Sequence, residues 1–427
     1  MSTIPAGYKQ TEVGVIPEEW LQCNIYQHAT FITSGSRGWA QYYSDLGSTF
    51  LRITNLIRGG IQIDLSDLKY VSVPNQNIEA IRTKLELGDI LFSITADIGI
   101  IGYIDEAIPF PAYINQHIAT IRFDSSKVYS KFVAYYLASE NAQKYIGSLV
   151  DQGAKAGVNL ITISKLPILL PPLPEQKRIA QVLGDVDALI QKLEALIAKK
   201  RDIKQAAMQE LLTGKRRLPG FSGAWEMKRL GEVGSTFGGL TGKSKQDFGS
   251  GKAKYIPFLN IMNNVVIDKN FLESVTIKSN EIQNRAQAGD LFFNGSSETP
   301  EEVGMCSYLQ DNVDDLYLNS FCFGFRREAD CPVDGLYLAY YFRSNIGREL
   351  IKSLAQGATR YNLSKSAFLK KILSIPSLSE QAAIAQILSD MDAELEKLEA
   401  RLAKTRDLKA GLMRELLTGR IRLRVAN

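Results

Sequence analysis

The sequence predicts an α+β chain: two mixed α/β globular units in a pseudo-two-fold arrangement, separated by two long antiparallel helices that form a coiled coil. Three observations predict it. A helical segment occurs twice, almost unchanged. The stretches that precede the two copies agree only in outline. Those stretches alternate short β-rich runs with glycine-, serine- and asparagine-rich turns.

The repeat is exposed by direct alignment. Glu175–Leu218 and Glu380–Leu423, superposed with a constant shift of 205, are identical at 26 of 44 positions. The same shift joins Trp20 to Trp225, and Ala134-Tyr135-Tyr136 to Ala339-Tyr340-Tyr341. Between these anchors Leu87–Phe92 answers Ala288–Phe293, Asn115 answers Asn319, and Gln152-Gly153-Ala154 answers Gln356-Gly357-Ala358. The helices therefore do one job twice, while the globular units do related but different jobs.

In the first unit, Phe50–Leu56, Asp89–Ile94 and Ile114–Phe123 read as strands, and Lys131–Leu149 as a closing helix whose tyrosine pair is core. Tyr255–Ile261, Asp290–Asn294, Leu316–Phe325 and the helix Leu336–Leu354 play these parts in the second. Proline-rich Leu166–Pro174 and Ile375–Ser379 link each unit to its long helix. In those helices apolar residues recur at spacings of three and four: Leu183, Val186, Ile190, Leu193, Ile197, and Leu388, Met391, Leu395, Leu398, Leu402. Pro174 and Ser379 stand just before them, and Thr213-Gly214 and Thr418-Gly419 supply glycine stops. A rod of roughly 38 residues is about 57 Å long, which overhangs a single globular unit. A heptad-like stripe on two equal rods predicts that they pair. Two like units, each feeding a rod that runs back past the other, require the rods to be antiparallel. The expected boundaries are 1–174 and 215–379 for the globular units, with 175–214 and 380–427 for the helices and tail.

Composition narrows the class without naming a partner. With 427 residues, 45% hydrophobic and 22% charged, the chain is of ordinary globular type and long enough for two to four domains. No apolar run follows a basic start at the opening, and none approaches the roughly 20 residues that span a bilayer. The expectation is a soluble, cytoplasmic protein with no membrane partner. Cys23, Cys306, Cys322 and Cys331 fit no zinc spacing and read as small buried hydrophobes. Two histidines, His28 and His117, are too few for a histidine-based metal site or a triad in each half. The net charge of +4 does not by itself indicate nucleic acid.

Enzyme motifs fail on inspection. Phe237–Ser244 approaches a phosphate-binding loop, but position 237 is phenylalanine where the first glycine is needed. The Pro171-Pro172 pair lies between leucines, unlike the tetrapeptide of an amino-methyltransferase. Glu301 and Glu302 sit beside Pro300 in a turn. The chain is read as non-catalytic, with no metal and no cofactor of its own.

The order and double occurrence of several motifs resemble the specificity (S) subunits of Type I restriction–modification systems. They are the opening GYKQTEVGVIPEEW, the strands GDILFSI and GDLFFN, the NQHI turn, the helix starts PLPEQKRIAQVL and SLSEQAAIAQIL, and the ends LLTGKRRL and LLTGRIRL. The resemblance covers essentially the whole chain. It implies two target-recognition domains, each reading one half of a bipartite asymmetric sequence in double-stranded DNA. It also implies that the helices act as a ruler for the unread gap and dock two adenine methyltransferase (M) subunits. Restriction (R) subunits would complete the complex, and S-adenosylmethionine, ATP and Mg²⁺ would belong to the partners alone. A coiled-coil scaffold that does not read DNA is the competing reading; near-identical rods beside divergent globular units favour DNA reading.

Base reading draws on polar side chains presented by loops, with phosphate contacts setting register. In the first unit the candidates are Ser36, Arg37, Trp39 and Tyr42, then Arg52, Thr54, Asn55 and Arg58, then Thr95, Gln116 and Lys155. In the second they are Lys243, Ser244, Lys245, Asn263, Asn264, Ser296, Ser297, Arg360 and Tyr361. Arg37, Lys155, Lys243 and Arg360 lead this set. Asn115/Asn319 and Gly88-Asp89/Gly289-Asp290 are expected to be structural, because a feature kept in both units cannot distinguish two different half-sites.

Overall fold

Both repeated segments form continuous helices of 39 residues, Leu173–Leu211 and Leu378–Leu416. The computed structural model describes residues 4–12, 14–74, 77–151, 157–357 and 359–423. Pro174 lies inside the first turn of its helix rather than before it. That position needs no backbone N–H partner and accepts proline readily. At the far ends Thr213 and Thr418 donate their hydroxyls to the carbonyls of Gln209 and Arg414, four residues back. Gly214 and Gly419 then take left-handed φ values of 69° and 73°, as a glycine stop requires.

The chain divides into two compact units, Met1–Leu193 with Arg401–Asn427, and Glu194–Ala400. Each unit thus contains the head of one long helix and the tail of the other.

The first unit is centred on a four-stranded sheet in the order Ala29–Ser34, Ile118–Phe123, Ile90–Ser93, Ile101–Tyr103, with every neighbouring pair antiparallel. One face carries Ile90, Phe92, Ala119 and Ile121 into a core shared with Phe132, Val133 and Tyr135 of the helix Ser130–Ala138. A second sheet pairs Ala112–Ile114 in parallel with Ser48–Leu51, followed by Lys69–Val71 and Tyr43–Ser44.

The second unit repeats the plan by itself. Its four-stranded sheet runs Gly234–Gly238, Cys322–Arg327, Leu291–Asn294, Cys306–Tyr308, and a three-stranded sheet pairs Leu316–Leu318 in parallel with Phe248–Ile256. Each main sheet is tied by one buried carboxylate. Asp89 receives Arg122 through two bonds of 2.7 Å, and Asp290 receives Arg326 at 2.8 and 2.7 Å.

Further sequence expectations are corrected. The runs Ile114–Phe123 and Leu316–Phe325 are not single strands: Ile114 ends Ala112–Ile114 and a turn precedes Ile118–Phe123, and Leu316–Leu318 is likewise parted from Cys322–Arg327. The closing helices are each broken in two, at Ser139 and Ser344. Each serine hydroxyl donates to the carbonyl three residues back, Tyr136 or Tyr341, at 2.6 Å. Each also accepts from the N–H three residues on, that of Ala142 or Gly347. The side chain ends one helix and caps the next. The run from Tyr255 to Ile261 is strand only as far as Ile256; after Pro257, which has no N–H to give a ladder, Phe258–Asn263 is helical. The strand starting near Phe50 stops at Leu51, where Asn55 Oδ1 accepts the Arg52 N–H at 2.9 Å and closes a 3₁₀ turn.

Within each unit, the helix head and the helix tail meet through the same set of polar contacts. In the first unit Glu175 accepts from the Arg422 guanidinium at 2.8 and 2.7 Å and from the Trp20 indole N–H at 3.4 Å. Asp187 accepts from the Tyr135 hydroxyl and the Lys409 ammonium, both at 2.7 Å. In the second unit Glu380 accepts from Arg217 at 2.6 and 2.7 Å, and Asp392 takes the Tyr340 hydroxyl at 2.7 Å together with Lys204. Lys200–Glu394 at 2.7 Å and Arg201–Glu399 at 2.6 Å extend this row. Going up the chain from Glu175 to Asp187 the partners step down from Arg422 to Lys409, and from Glu380 to Asp392 they step down from Arg217 to Lys204, so the two segments run in opposite directions within each unit. Gln176 and Gln381 fasten each helix head to its own globular part. They accept the N–H of Tyr129 and Asp334 at 2.8 Å and donate to the carbonyls of Pro171 and Pro376 at 2.8 Å.

Candidate nucleic-acid interface

In each unit one tight turn joins the two sheets, and it is built the same way twice. The Asn115 N–H reaches the Leu51 carbonyl at 3.2 Å, and its Oδ1 accepts the His117 N–H at 3.2 Å. The Asn319 N–H reaches Ile256 at 3.2 Å, and its Oδ1 accepts the Phe321 N–H at 2.9 Å. The carbonyls of His117 and Phe321 accept from the N–H of Ile94 and Gly295 at 2.9 and 2.8 Å. Gly35 and Gly239 permit the close approach: a Cβ on either would stand 2.0 Å from the Asn115 or Asn319 carbonyl oxygen. The shared asparagine builds the turn, and the two residues after it are displayed.

Around that turn in the first unit lie Thr95 and Gln116. The Thr95 hydroxyl contacts His117 Nδ1, and Gln116 Nε2 lies 2.9 Å from His117 Nε2. An isolated bridge joins Thr95 to Gly157. Lys155 lies outside the described residues. On the preceding loop, Arg37 is exposed and makes no hydrogen bond or ion pair with another described residue. Ser36 is engaged by Arg82 at 2.6 Å and by Glu79. Those contacts, first the Ser36 hydroxyl and then Arg82, hold the Glu79 carboxyl below its usual range.

Several other candidates support loops rather than stand free. Trp39 is 5% exposed and packs against Phe50 and Tyr113 at centroid distances of 5.0 and 5.3 Å, so it anchors its loop from beneath. The Tyr42 hydroxyl accepts from Asn77 at 3.0 Å. Asn55 is buried and donates to the carbonyls of Asp64 and Asp67 at 2.9 and 3.2 Å. Arg52 pairs with Asp67 at 2.8 Å, and Arg58 with Asp97, the Gln143 side chain and the Ile98 carbonyl. Thr54 is exposed.

In the second unit Lys243 departs furthest from the expectation of a DNA-facing cation. Its side chain is 2% exposed, paired with Glu281 and donating to the Thr276 carbonyl at 2.6 Å. An ammonium so enclosed holds its own loop together, and the same contact holds the Glu281 carboxyl low. Ser244 donates to Asp247 at 2.8 Å, whereas Lys245 is exposed and without a described partner. Asn263 is exposed, and Asn264 donates to Asn260 at 2.9 Å. Ser296 and Ser297 are buried, and they pair with Asn362 and Tyr361 as short strands. The Ser297 hydroxyl donates to Glu302 at 3.0 Å. Arg360, exposed beside half-buried Tyr361, donates Nε–H to Ser296 Oγ at 3.3 Å, and its guanidinium lies 5.6 Å from the Phe321 ring centroid.

Sequence reasoning missed three residues of this region. Phe321 is 59% exposed at the turn tip; within SFCFGF it reads as one more core aromatic. Arg343 and Arg348 are half-buried and donate to carbonyl oxygens, Arg343 to those of Ile261, Met262, Asn264 and Cys306, Arg348 to those of Glu301, Val303 and Gly304. Burial pushes the Arg343 guanidinium down to about 10 and lowers Arg348 as well. Both clamp the loops that flank the turn. Their tell-tale in the sequence is slight: arginines on the otherwise apolar side of a closing helix.

A family model described as Type I restriction modification DNA specificity domain matches the chain twice, over residues 69–200 and 223–404. The chain belongs to that family. Among specificity subunits it is 26% identical to the candidate subunit of the MjaX type I restriction enzyme of Methanocaldococcus jannaschii, covering 98% of this chain and 97% of the relative. It is 22% identical to the EcoKI specificity subunit of Escherichia coli, covering 96% and 90%. The fold is similar to the crystal structure of a Type I restriction–modification S subunit from M. genitalium, with a TM-score of 0.58 at 15% identity over 93% of this chain and 96% of that one. A chain from a study of type I complex assembly and conformational transition gives a TM-score of 0.53 at 14% identity, over 95% and 99%. Among the described residues no helix is long and apolar enough to cross a membrane.

Proposed function

We propose that this S subunit reads a bipartite, asymmetric DNA sequence, one half with each globular part, while the paired long helices set the unread gap and dock two adenine methyltransferase subunits. The observation that carries this reading is the contrast between constant and variable parts. The helix contacts Glu175–Arg422 and Asp187–Lys409 recur as Glu380–Arg217 and Asp392–Lys204, whereas the side chains on the duplicated turn differ. Opposed helix segments held by matched ion pairs suit an antiparallel coiled coil and a pseudo-two-fold placement of 1–174 and 215–379. Inverted readers suit a duplex whose backbone has its own two-fold pseudosymmetry. Arg37, Thr54, Lys245, Asn263 and Arg360 are exposed polar candidates, with Lys155 retained from the sequence.

The chemistry resides in partners. Adenine methylation in a duplex needs the base turned out of the stack into a pocket, and this chain supplies register to the subunit that owns the pocket. S-adenosylmethionine, ATP and Mg²⁺ are assigned to the M and R subunits. Co-expression with the methyltransferase and methylation-aware sequencing of host DNA tests the reading. One two-part asymmetric sequence with a constant gap is expected. Methylation of a continuous palindrome, or methylation independent of this chain, overturns it.

A further inference from the structure

The turn tip of the second unit carries a feature that polar base reading does not use. Phe321 is an exposed aromatic, and exposure alone means little, since single apolar residues are common on surfaces. Its presentation is unusual: its N–H is bound by Asn319 Oδ1 at 2.9 Å and its carbonyl by the Gly295 N–H at 2.8 Å. The backbone is thus fixed on both sides, and the ring projects from a rigid base. The Arg360 guanidinium lies 5.6 Å from the ring centroid, within cation–π range, and is itself steadied by Ser296. The corresponding place in the first unit, with the same two backbone bonds, holds His117 flanked by Gln116 and Thr95. One position of a duplicated frame therefore displays a ring in both units, with a different ring and different neighbours in each.

We infer that Phe321, backed by Arg360, is a nucleobase-stacking platform that engages an exposed base face in the half-site read by the second unit. This rests on the DNA-reading assignment and deepens it. A phenyl ring has no hydrogen-bonding group to match a base edge, so its contribution is stacking. Base faces become accessible where a duplex is kinked or a nucleotide turned out, as partner-catalysed methylation demands. Arginine over the ring adds positive charge where phosphates crowd.

The test uses the assembled S–methyltransferase complex and a fluorescent duplex carrying its methylation-mapped target. Aromatic–base stacking is typically lost on alanine substitution with about a 5- to 100-fold weakening. Phe321→Ala is expected to raise Kd within that range, Phe321→Trp to restore binding, and Phe321→Leu to remain impaired. In the Phe321→Trp complex, tryptophan emission is expected to be quenched on adding target duplex and not on adding duplex with that half-site scrambled. Binding by Phe321→Leu equal to wild type, or no loss in Phe321→Ala while Lys245→Ala binds more weakly, overturns the platform and leaves DNA reading intact. Wild-type complex that binds target and scrambled duplex equally overturns both. Unfolding midpoints of all variants are compared first; the exposed ring predicts no change.

Discussion

At the scale of single residues, the difference between a reader and a support is whether the side chain already has a partner. Arg37 has none among the described residues, so Arg37→Ala is expected to weaken binding to one half-site about tenfold, within the usual cost of a lost arginine contact, with subunit assembly unchanged. A gel shift against duplexes scrambled in either half checks this. Lys243 has two partners and a side chain only 2% exposed, so Lys243→Ala is expected to lower the unfolding midpoint by several degrees, with DNA affinity per folded molecule unchanged. Thermal melts beside binding isotherms separate the two effects. Burial pushes the Cys23 thiol up to about 11 and Cys322 up to about 12, so neither forms thiolate near neutral pH. Half-exposed Cys331 is expected to be the first of the four to react with a disulfide reagent at pH 8, and the buried three to react only on denaturation. Residue type told which loops were polar, but not which cations were already neutralised. Glu281, the partner of Lys243, lies 38 positions away, beyond the reach of local pattern. Phe321 was missed for the converse reason: an apolar run conceals which member faces outward until the turn is built.

At the scale of elements, the long helices were legible almost to the residue, because 3.6-residue periodicity and two copies are strong signals. The serine breaks at 139 and 344 were not, because apolar spacing continues through them while one hydroxyl redirects the backbone. The locks between helix head and tail depend on burial more than on number. Glu175 is 3% exposed, and Arg422→Ala would leave its charge with only N–H donors, at a cost of about 3 kcal/mol. Biphasic denaturation, with the low-stability phase assigned to the first unit by proteolysis, is the expected result. Arg217→Ala is expected to transfer that phase to the second unit. Loss of both units together in either variant would show that the locks are not separable.

At the scale of the whole molecule, the proposed ruler makes a geometric prediction. A seven-residue insertion in phase in both long helices adds about 10 Å, close to three base pairs. The methylated sequence is expected to keep its two halves while the gap lengthens by that amount. Insertion in one helix alone puts Lys200, Lys204 and their acidic partners out of step and is expected to abolish methylation. The order in which the chain is made adds a further constraint. The first unit is closed by Lys409 and Arg422, which are made only after the whole of the second. A message cut short before them yields a first reader with Glu175 and Trp20 uncovered, visible to proteases. Closure of the first unit is thereby tied to synthesis of the second: a chain that stops between them is left with an open seam.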